Sequence, residues 1–465
     1  MSEEAPIEPE PSGESLLDSH GSSSLAVYAV PLLLGEGLLL AAALHLFDRS
    51  LHPIAFAVLL LLASLPWFFV SRLLLRGDWK PKLRLLIPLA LFLRLIAVFA
   101  SPSLSDDIYR YVWEGRVQLE GQNPYVFAPK DPQVAKPGDP IWEGVNHKEV
   151  PAAYPPVTQF FLRGLARLDF GILGFKNAFA LLESLCLLAG LLFLRRQGLS
   201  MALIGIQAFC PLVLVELVAE GHNDSLALLF TILSLAFLGK NPKRSLLSAL
   251  CVGGFLGLAI SSKYLPVILL PWMFRKDYRI PLIALGVVVL SYLPFYPASG
   301  DWTQLFEGLR NYGVRWRGNE SFFWLLAEGT KKLQELLSQS GWTHWPVGVE
   351  LQKASKIPFM FFLGLGSLAV FLMEKAPSRA FVLVLAILFV LTPTLHPWYL
   401  VWVAPFLCII PIPGLFALLG SAGFAYHMLA NWKLHHVWKE SWVWKGAEYA
   451  PFYLLLLYDL FRRKK

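Results

Sequence analysis

Apolar segments recur along the whole 465-residue chain, roughly at 25–47, 53–75, 84–100, 177–195, 201–219, 224–239, 246–262, 264–274, 280–298, 357–374, 380–393, 398–411, 412–429 and 449–461. A helix needs about 20 apolar residues to cross a hydrocarbon layer ~30 Å thick, and many of these runs come close. In lipid the backbone must satisfy its own hydrogen bonds, so such segments fold as helices. With 56% hydrophobic and 16% charged residues, the chain lies far from a soluble domain. A β-barrel would alternate in short segments instead. The expected fold is an all-α polytopic membrane protein. The pair 246–262 and 264–274 reads least cleanly, its second piece being a broken or re-entrant helix.

The net charge is +7, but the basic residues sit in short clusters between apolar runs. Membrane topology requires that pattern and nucleic acid does not. Arg72, Arg76, Lys80, Lys82 and Arg84 form one cluster, and Arg195 with Arg196 another. Lys240, Lys243 and Arg244 follow, then Arg275, Lys276 and Arg279, then Lys375 and Arg379, then Arg462, Arg463, Lys464 and Lys465. All fall on one side if every segment crosses once, and the positive-inside rule makes that side cytoplasmic. A multi-pass protein of the cell (plasma or inner) membrane with both termini cytoplasmic follows. Residues 1–24 are acidic, rich in Ser and Pro, and carry no Lys or Arg. They read as a disordered cytoplasmic tail rather than a cleavable signal. Cys186, Cys210, Cys251 and Cys408 lie inside apolar runs and read as buried small hydrophobes.

The opposite face receives 101–176, Gly221 to Asp224, Ser261 to Tyr264, 299–356, Thr394 to Trp398, and 430–448. Between 101 and 154 alone stand eight acidic and five basic residues. The polar residues with chemical potential therefore gather on the extracytoplasmic side. The stretch 299–356 holds Trp302, Trp316, Trp324, Trp342 and Trp345, residues suited to the membrane–water boundary. No internal repeat and no inverted symmetry between halves is visible.

Asp106 and Asp107 stand where a membrane helix stops. Beyond them a short amphipathic helix is expected, with Ile108, Val112, Gly115 and Leu119 on one stripe. Asp107, Arg110, Tyr111, Glu114 and Gln118 fall on another. The expectation is a helix lying on the outer membrane surface and presenting a carboxylate. Acids also simply favour a helix N-terminus, and for Asp106 that reading stands level with a catalytic one, so Asp106 and Asp107 are both candidate catalytic acids. For Asp107 the shared polar stripe points to a task, since a carboxylate can take a proton from an attacking hydroxyl. Tyr154-Pro155-Pro156 precedes a second amphipathic stretch, Val157 to Leu168.

Asp107-Ile-Tyr-Arg-Tyr followed by Gly121-Gln-Asn-Pro-Tyr125 resembles the first outer loop of the polyprenyl-phosphate-mannose-dependent mannosyltransferases, membrane glycosyltransferases of the GT-C fold class. Tyr154-Pro-Pro, Gly221-His-Asn-Asp224 and Lys263-Tyr-Leu-Pro266 resemble further motifs of that family, in the same order over roughly 85–300. Asp106 is an extra acid, and Arg110 stands where Ser is common. The resemblance implies a GT-C-type bundle of about 12–14 transmembrane helices with amphipathic helices in the first outer loop. It also implies a lipid-linked donor, an acceptor arriving from the outer face, inversion at the anomeric carbon, and Asp107 as the base.

A departing polyprenyl phosphate needs cations or hydrogen-bond donors placed in advance. Lys263, Arg315, Arg317 and His396 are the candidates, with His222 beside them. Arg110, Tyr111, Glu114, Tyr154, His222, Asn223, Asp224, Tyr264 and Tyr399 are the candidate substrate contacts. Each has a plainer alternative. Lys263 could snorkel from a helix end. Arg315 and Arg317 flank Trp316 as interfacial anchors would, and Asn223 or Asp224 could cap the next helix. Asn319-Glu320-Ser321 reads as a cap. His435 and His436 lack partners at metal spacing, and no cofactor is called for.

The expected organisation is a tail over 1–24, a GT-C-type transmembrane module over 25–300 including outer loop 101–176, a long extracytoplasmic loop over 301–356, and C-terminal transmembrane helices over 357–465. The expected function is a cell-envelope hexosyltransferase. It would move a hexose, by resemblance mannose, from a polyprenyl-phosphate sugar to a glycan or glycolipid acceptor at the lipid bilayer. The rivals are a polytopic transporter of a sugar or lipid-linked substrate, and a lipid A- or polymer-modifying glycosyltransferase of the same layout.

Overall fold

Helices account for every long element of the computed structural model, which describes residues 25–239 and 245–462. The tail 1–24, the cluster Lys240, Lys243 and Arg244, and Arg463 to Lys465 lie outside the described residues. Among the described residues the β pairing consists of one isolated parallel bridge, Gly318 to Thr394.

Helices of nine residues or more are numbered in chain order. They are α1 (Ala29–His45), α2 (Pro53–Arg76), α3 (Leu83–Val98), α4 (Asp107–Leu119), α5 (Pro156–Arg167), α6 (Gly171–Gln197), α7 (Asp224–Leu238) and α8 (Leu246–Ile260). Then come α9 (Arg279–Tyr292), α10 (Glu307–Arg315), α11 (Phe323–Gln339), α12 (Lys356–Met373), α13 (Pro377–Leu391), α14 (Pro413–Ser421) and α15 (Trp442–Arg462). Among the described residues four helical stretches are long and apolar enough to cross a membrane, or five if one bent pair counts as a span. Five shorter apolar helices accompany them.

The bent pair is the run 201–219, which turns by 59°. Pro211 forces the break, because the residue before a proline is pushed out of the helical region, and Cys210 is extended there. Beyond it Leu214–Ala219 winds as a π-helix, which carries Glu216 fully into the interior. The stretch 264–274 is likewise broken, a tight 3-10 turn at Leu265–Leu269 leading into Leu270–Lys276.

One apolar core extends from Ala29 to Phe452. The C-terminal α14 packs on α2 and α15, so the last helices share the core of the first. Two expectations change. The 301–356 stretch is largely helical, with α10, α11 and the start of α12 inside it, although Trp302, Trp342 and Trp345 are exposed as anticipated. Helix α4 does not lie open on a surface. Its apolar stripe from Ile108 to Gly115 and its polar stripe from Arg110 to Gln118 are buried, under the 134–145 segment and against α5 and α6, while Asp107 is half-buried and Leu119 exposed. A helix this polar can be enclosed because its polar side chains find internal partners.

Candidate active site

Those partners begin with Gly115. A Cβ there would sit 2.5 Å from the Leu162 carbonyl oxygen, so only glycine lets α4 and α5 approach this closely. Across the contact Gln159 Nε2 donates to Glu114 Oε2 at 2.7 Å, and Gln118 Nε2 donates to Gln159 Oε1 at 3.0 Å. Arg110 donates to the carbonyls of Asn146, His147 and Val150 at 2.7–3.1 Å and lies 3.7 Å from Glu114. Of these two candidate substrate contacts, Arg110 holds the 146–150 segment onto α4 and Glu114 holds α5 to it.

The approach to α4 is pinned as tightly. Glu220 accepts from the backbone N–H of Ser103 and Leu104 at 3.0 and 2.9 Å, and Arg49 pairs with Glu220 at 2.9 Å. Lys176 donates to the carbonyls of Val98 and Ala100. This buried knot sets where Asp107 begins α4. Neither acid caps the helix with its side chain. Asp106 is exposed.

Asp107 is half-buried. Its Oδ2 accepts from the Tyr154 hydroxyl at 3.2 Å and from the Tyr111 hydroxyl at 3.4 Å, and the two phenols lie 3.4 Å apart. Burial, then the Asp107 charge, pushes both phenols well up, so they stay protonated donors. Tyr154 is itself placed by Tyr125, whose hydroxyl donates to its carbonyl at 2.7 Å.

The start of α5 is tied to the turn after α8. Val157 N donates to Ser261 O at 2.8 Å, and Thr158 Oγ1 to Ser262 O at 2.7 Å. The next residue, Lys263, is thereby brought beside Tyr154. Its Nζ lies 5.8 Å from the Tyr154 ring centroid, 5.3 Å from that of Tyr399, and 2.7 Å from Asp224 Oδ2. Asp224 takes the Trp402 indole N–H on its other oxygen at 2.6 Å. Asp224 and Asn223 therefore form no side-chain cap on α7, and Lys263 does not snorkel.

Around this centre the rings close in. Trp398 is sandwiched between His222, 4.1 Å away, and His396, 4.3 Å away. The Tyr399 hydroxyl meets that of Tyr312. Burial pushes His396 down to about 4, against the pull of Asp107. His222 Nε2 and both amide atoms of Asn223 are buried without a hydrogen-bond partner. Tyr264 hydrogen-bonds Tyr292 at 2.6 Å, and both line a groove of about 310 Å³ with apolar walls, shared with Val288, Leu305 and Phe306.

Two candidates stand apart. Arg315 is exposed at the end of α10, and Arg317 pairs with Glu320 at 3.0 Å over the Phe323 ring. Among the described residues no hydrogen bond or ion pair joins either to the Asp107 cluster. Asn319 does not cap α11. Its amide donates to Leu395 O and to Glu448 Oε1, each at 3.0 Å, and ties the 316–321 turn to α15. Sequence reasoning passed over Tyr312, Trp398, Trp402 and Glu216. Glu216 did leave a signal, as a lone acid within an apolar run. Among the described residues no group of three or more His, Cys, Asp or Glu could hold a metal.

The cluster can accept a proton at Asp107 and present aromatic faces and neutral or cationic donors from at least four separate segments. The family model described as Alpha-(1->6)-mannopyranosyltransferase, N-terminal domain, matches residues 19–275, more than half of the chain. Asp107, Tyr154, His222, Asp224 and Lys263 lie within that match. No curated protein and no solved structure matches the chain.

Proposed function

Because the chain belongs to the alpha-(1->6)-mannopyranosyltransferase family, we propose that it transfers mannose from a polyprenyl monophosphate carrier to an extracytoplasmic glycan or glycolipid, with inversion. The observation that carries this reading is the meeting of Asp107 and Lys263 across Tyr154. A proton acceptor at the Tyr154 hydroxyl and a cation 5.8 Å from the centre of its ring are thereby held on one side chain.

Asp107 takes the proton of the acceptor hydroxyl as its oxygen attacks the anomeric carbon. The bond from that carbon to the phosphate oxygen breaks on the opposite face, and the polyprenyl phosphate leaves with the electron pair. Lys263 and the hydroxyl-rich wall of Tyr154, Tyr312 and Tyr399 are in place before charge develops, which is what lowers the barrier. His396, held neutral, contributes a hydrogen bond without competing for the proton. The groove of Tyr264, Tyr292, Val288, Leu305 and Phe306 starts one residue from Lys263 and would take the apolar carrier. The N- and C-termini lie in the cytoplasm in this reading.

The test is to incubate the purified full-length protein with a panel of polyprenyl-phosphate sugars and assay release of free polyprenyl phosphate. Release from polyprenyl-phosphate mannose in the presence of a mannan acceptor is expected. Turnover of a nucleotide sugar with none of the lipid donors would overturn the proposal.

A further inference from the structure

The transfer reading leaves one buried titratable pair without a task. His222 Nδ1 lies 3.2 Å from Glu216 Oε2 and 3.1 Å from the Glu216 carbonyl oxygen. The Tyr426 hydroxyl donates to both carboxylate oxygens of Glu216, at 3.0 and 3.1 Å. All three side chains are buried. Gly221 makes the turn possible: its φ is +74°, and its backbone rests against Lys176, so a side chain there would be strained and crowded.

A carboxylate on Nδ1 fixes the imidazole's orientation and puts a proton on that nitrogen. The other nitrogen, Nε2, is buried with no hydrogen-bond partner. It is an acceptor when the ring is neutral and a donor when the ring is charged. The environment decides between the two. Glu216, Asp107 and Asp224 bear on the ring with negative charge. Lys176 packs under Gly221, and His396 stands on the far face of Trp398. The stacked Trp398 face favours a cation. Burial works against the charge, but Glu216 outweighs it, and His222 is raised above its ordinary value. Its neighbour His396 is moved the opposite way.

Resting on the transfer reading, we infer that Glu216 is a positioning residue that holds His222 as an imidazolium, so that Nε2–H donates to the departing polyprenyl phosphate. As the carbon–oxygen bond breaks, the electron pair goes to the phosphate oxygen and the imidazolium hydrogen-bonds it. The proton stays on the ring, and Asp107 holds the proton from the acceptor. The two histidines on Trp398 thus have separate roles, one charged and one neutral.

The test measures release of polyprenyl phosphate from polyprenyl-phosphate mannose by the full-length protein, across about pH 5.5 to 9, for wild type, Glu216→Gln and His222→Gln. Wild type loses rate on an alkaline limb as His222 deprotonates. Glu216→Gln moves that limb down by about one pH unit or more, giving roughly tenfold less activity at pH 8 and near wild-type activity at pH 6. A purely structural loss would lower the rate at every pH instead. His222→Gln removes the limb and slows release by about 100-fold, the usual cost of one lost transition-state donor. His222→Gln also decides the matter if Glu216→Gln does not fold. An unmoved limb in Glu216→Gln, or a surviving one in His222→Gln, overturns the inference while the transfer reading stands. A wild-type protein inert towards every lipid donor overturns the transfer reading, and this inference with it.

Discussion

Lys263 and Asp224 form an ion pair of 2.7 Å in which the acid is wholly buried and the base keeps some exposure. The asymmetry matters. Asp224 has no water to fall back on, so its charge depends on Lys263 and on the Trp402 indole N–H. Lys263 keeps some side-chain exposure and lies beside the rings of Tyr154 and Tyr399. The pair ties the start of α7 to the turn after α8.

Lys263→Met should therefore destabilise the protein by about 3–5 kcal/mol, the usual cost of leaving a buried charge unpaired. The double variant Lys263→Met/Asp224→Asn should recover most of that stability, since the Trp402 donor keeps an acceptor. It should not recover transfer, because the cation is gone. Thermal unfolding in detergent and release of lipid phosphate separate the two effects. Recovery of both would reduce Lys263 to a structural role.

Asp107→Asn keeps an acceptor for Tyr111 and Tyr154 and should leave the fold unchanged. Transfer should fall about 10²- to 10⁴-fold, the range for a general base. Asp106→Asn, at an exposed position off that tyrosine pair, should cost no more than roughly threefold. The reverse ranking in the same release assay would move the base to Asp106.

His396 supplies a pH dependence of stability. Its folded value, about 4, lies below the ordinary histidine value of roughly 6.5. Between those values the unfolded chain binds the proton and the folded one does not. The stability His396 contributes is thus fully present above about pH 6.5 and is lost as pH falls towards about 4. His396→Gln should flatten the acid side of a stability–pH curve measured by unfolding in detergent. An unchanged slope would refute the assignment.

Gly115→Ala should force α4 and α5 apart, since its Cβ would meet Leu162 O at 2.5 Å and Ala166 Cβ at 2.9 Å. A cost of about 1–3 kcal/mol is expected, with a fall in transfer as Asp107 shifts. Gly164→Ala, on the same helix pair with nothing within 4 Å of its Cβ, should be neutral or stabilising by up to about 1 kcal/mol. Equal effects of the two in thermal unfolding would exclude the close-packing account.

Much of the site could be read before any coordinates. Asp107, Tyr154, His222, Lys263 and Tyr399 lie far apart in the chain, and four of the five stand in short motifs whose order is visible in it. Arg315 and Arg317 looked as suitable as Lys263, because a basic residue beside an aromatic one carries no record of which partner it will meet. Asn319 looked like a helix cap for the same reason, and its partners turned out to be Leu395 and Glu448, far along the chain. The amphipathic stripe of α4 was legible, but not its enclosure, since that depends on what the 134–150 segment and α5 do.

The amino-acid order alone decided the class of molecule, an all-helical polytopic membrane protein. Hydropathy and charge clustering act over one turn or one segment, and lipid enforces them residue by residue. Tertiary structure decided the pairings: Tyr426 with Glu216 across 210 residues, Trp402 with Asp224 across 178, Tyr154 with Asp107 across 47. Such contacts follow from how helices pack and where proline and π-turns bend them. A buried polar group takes whichever partner that packing brings within hydrogen-bond reach.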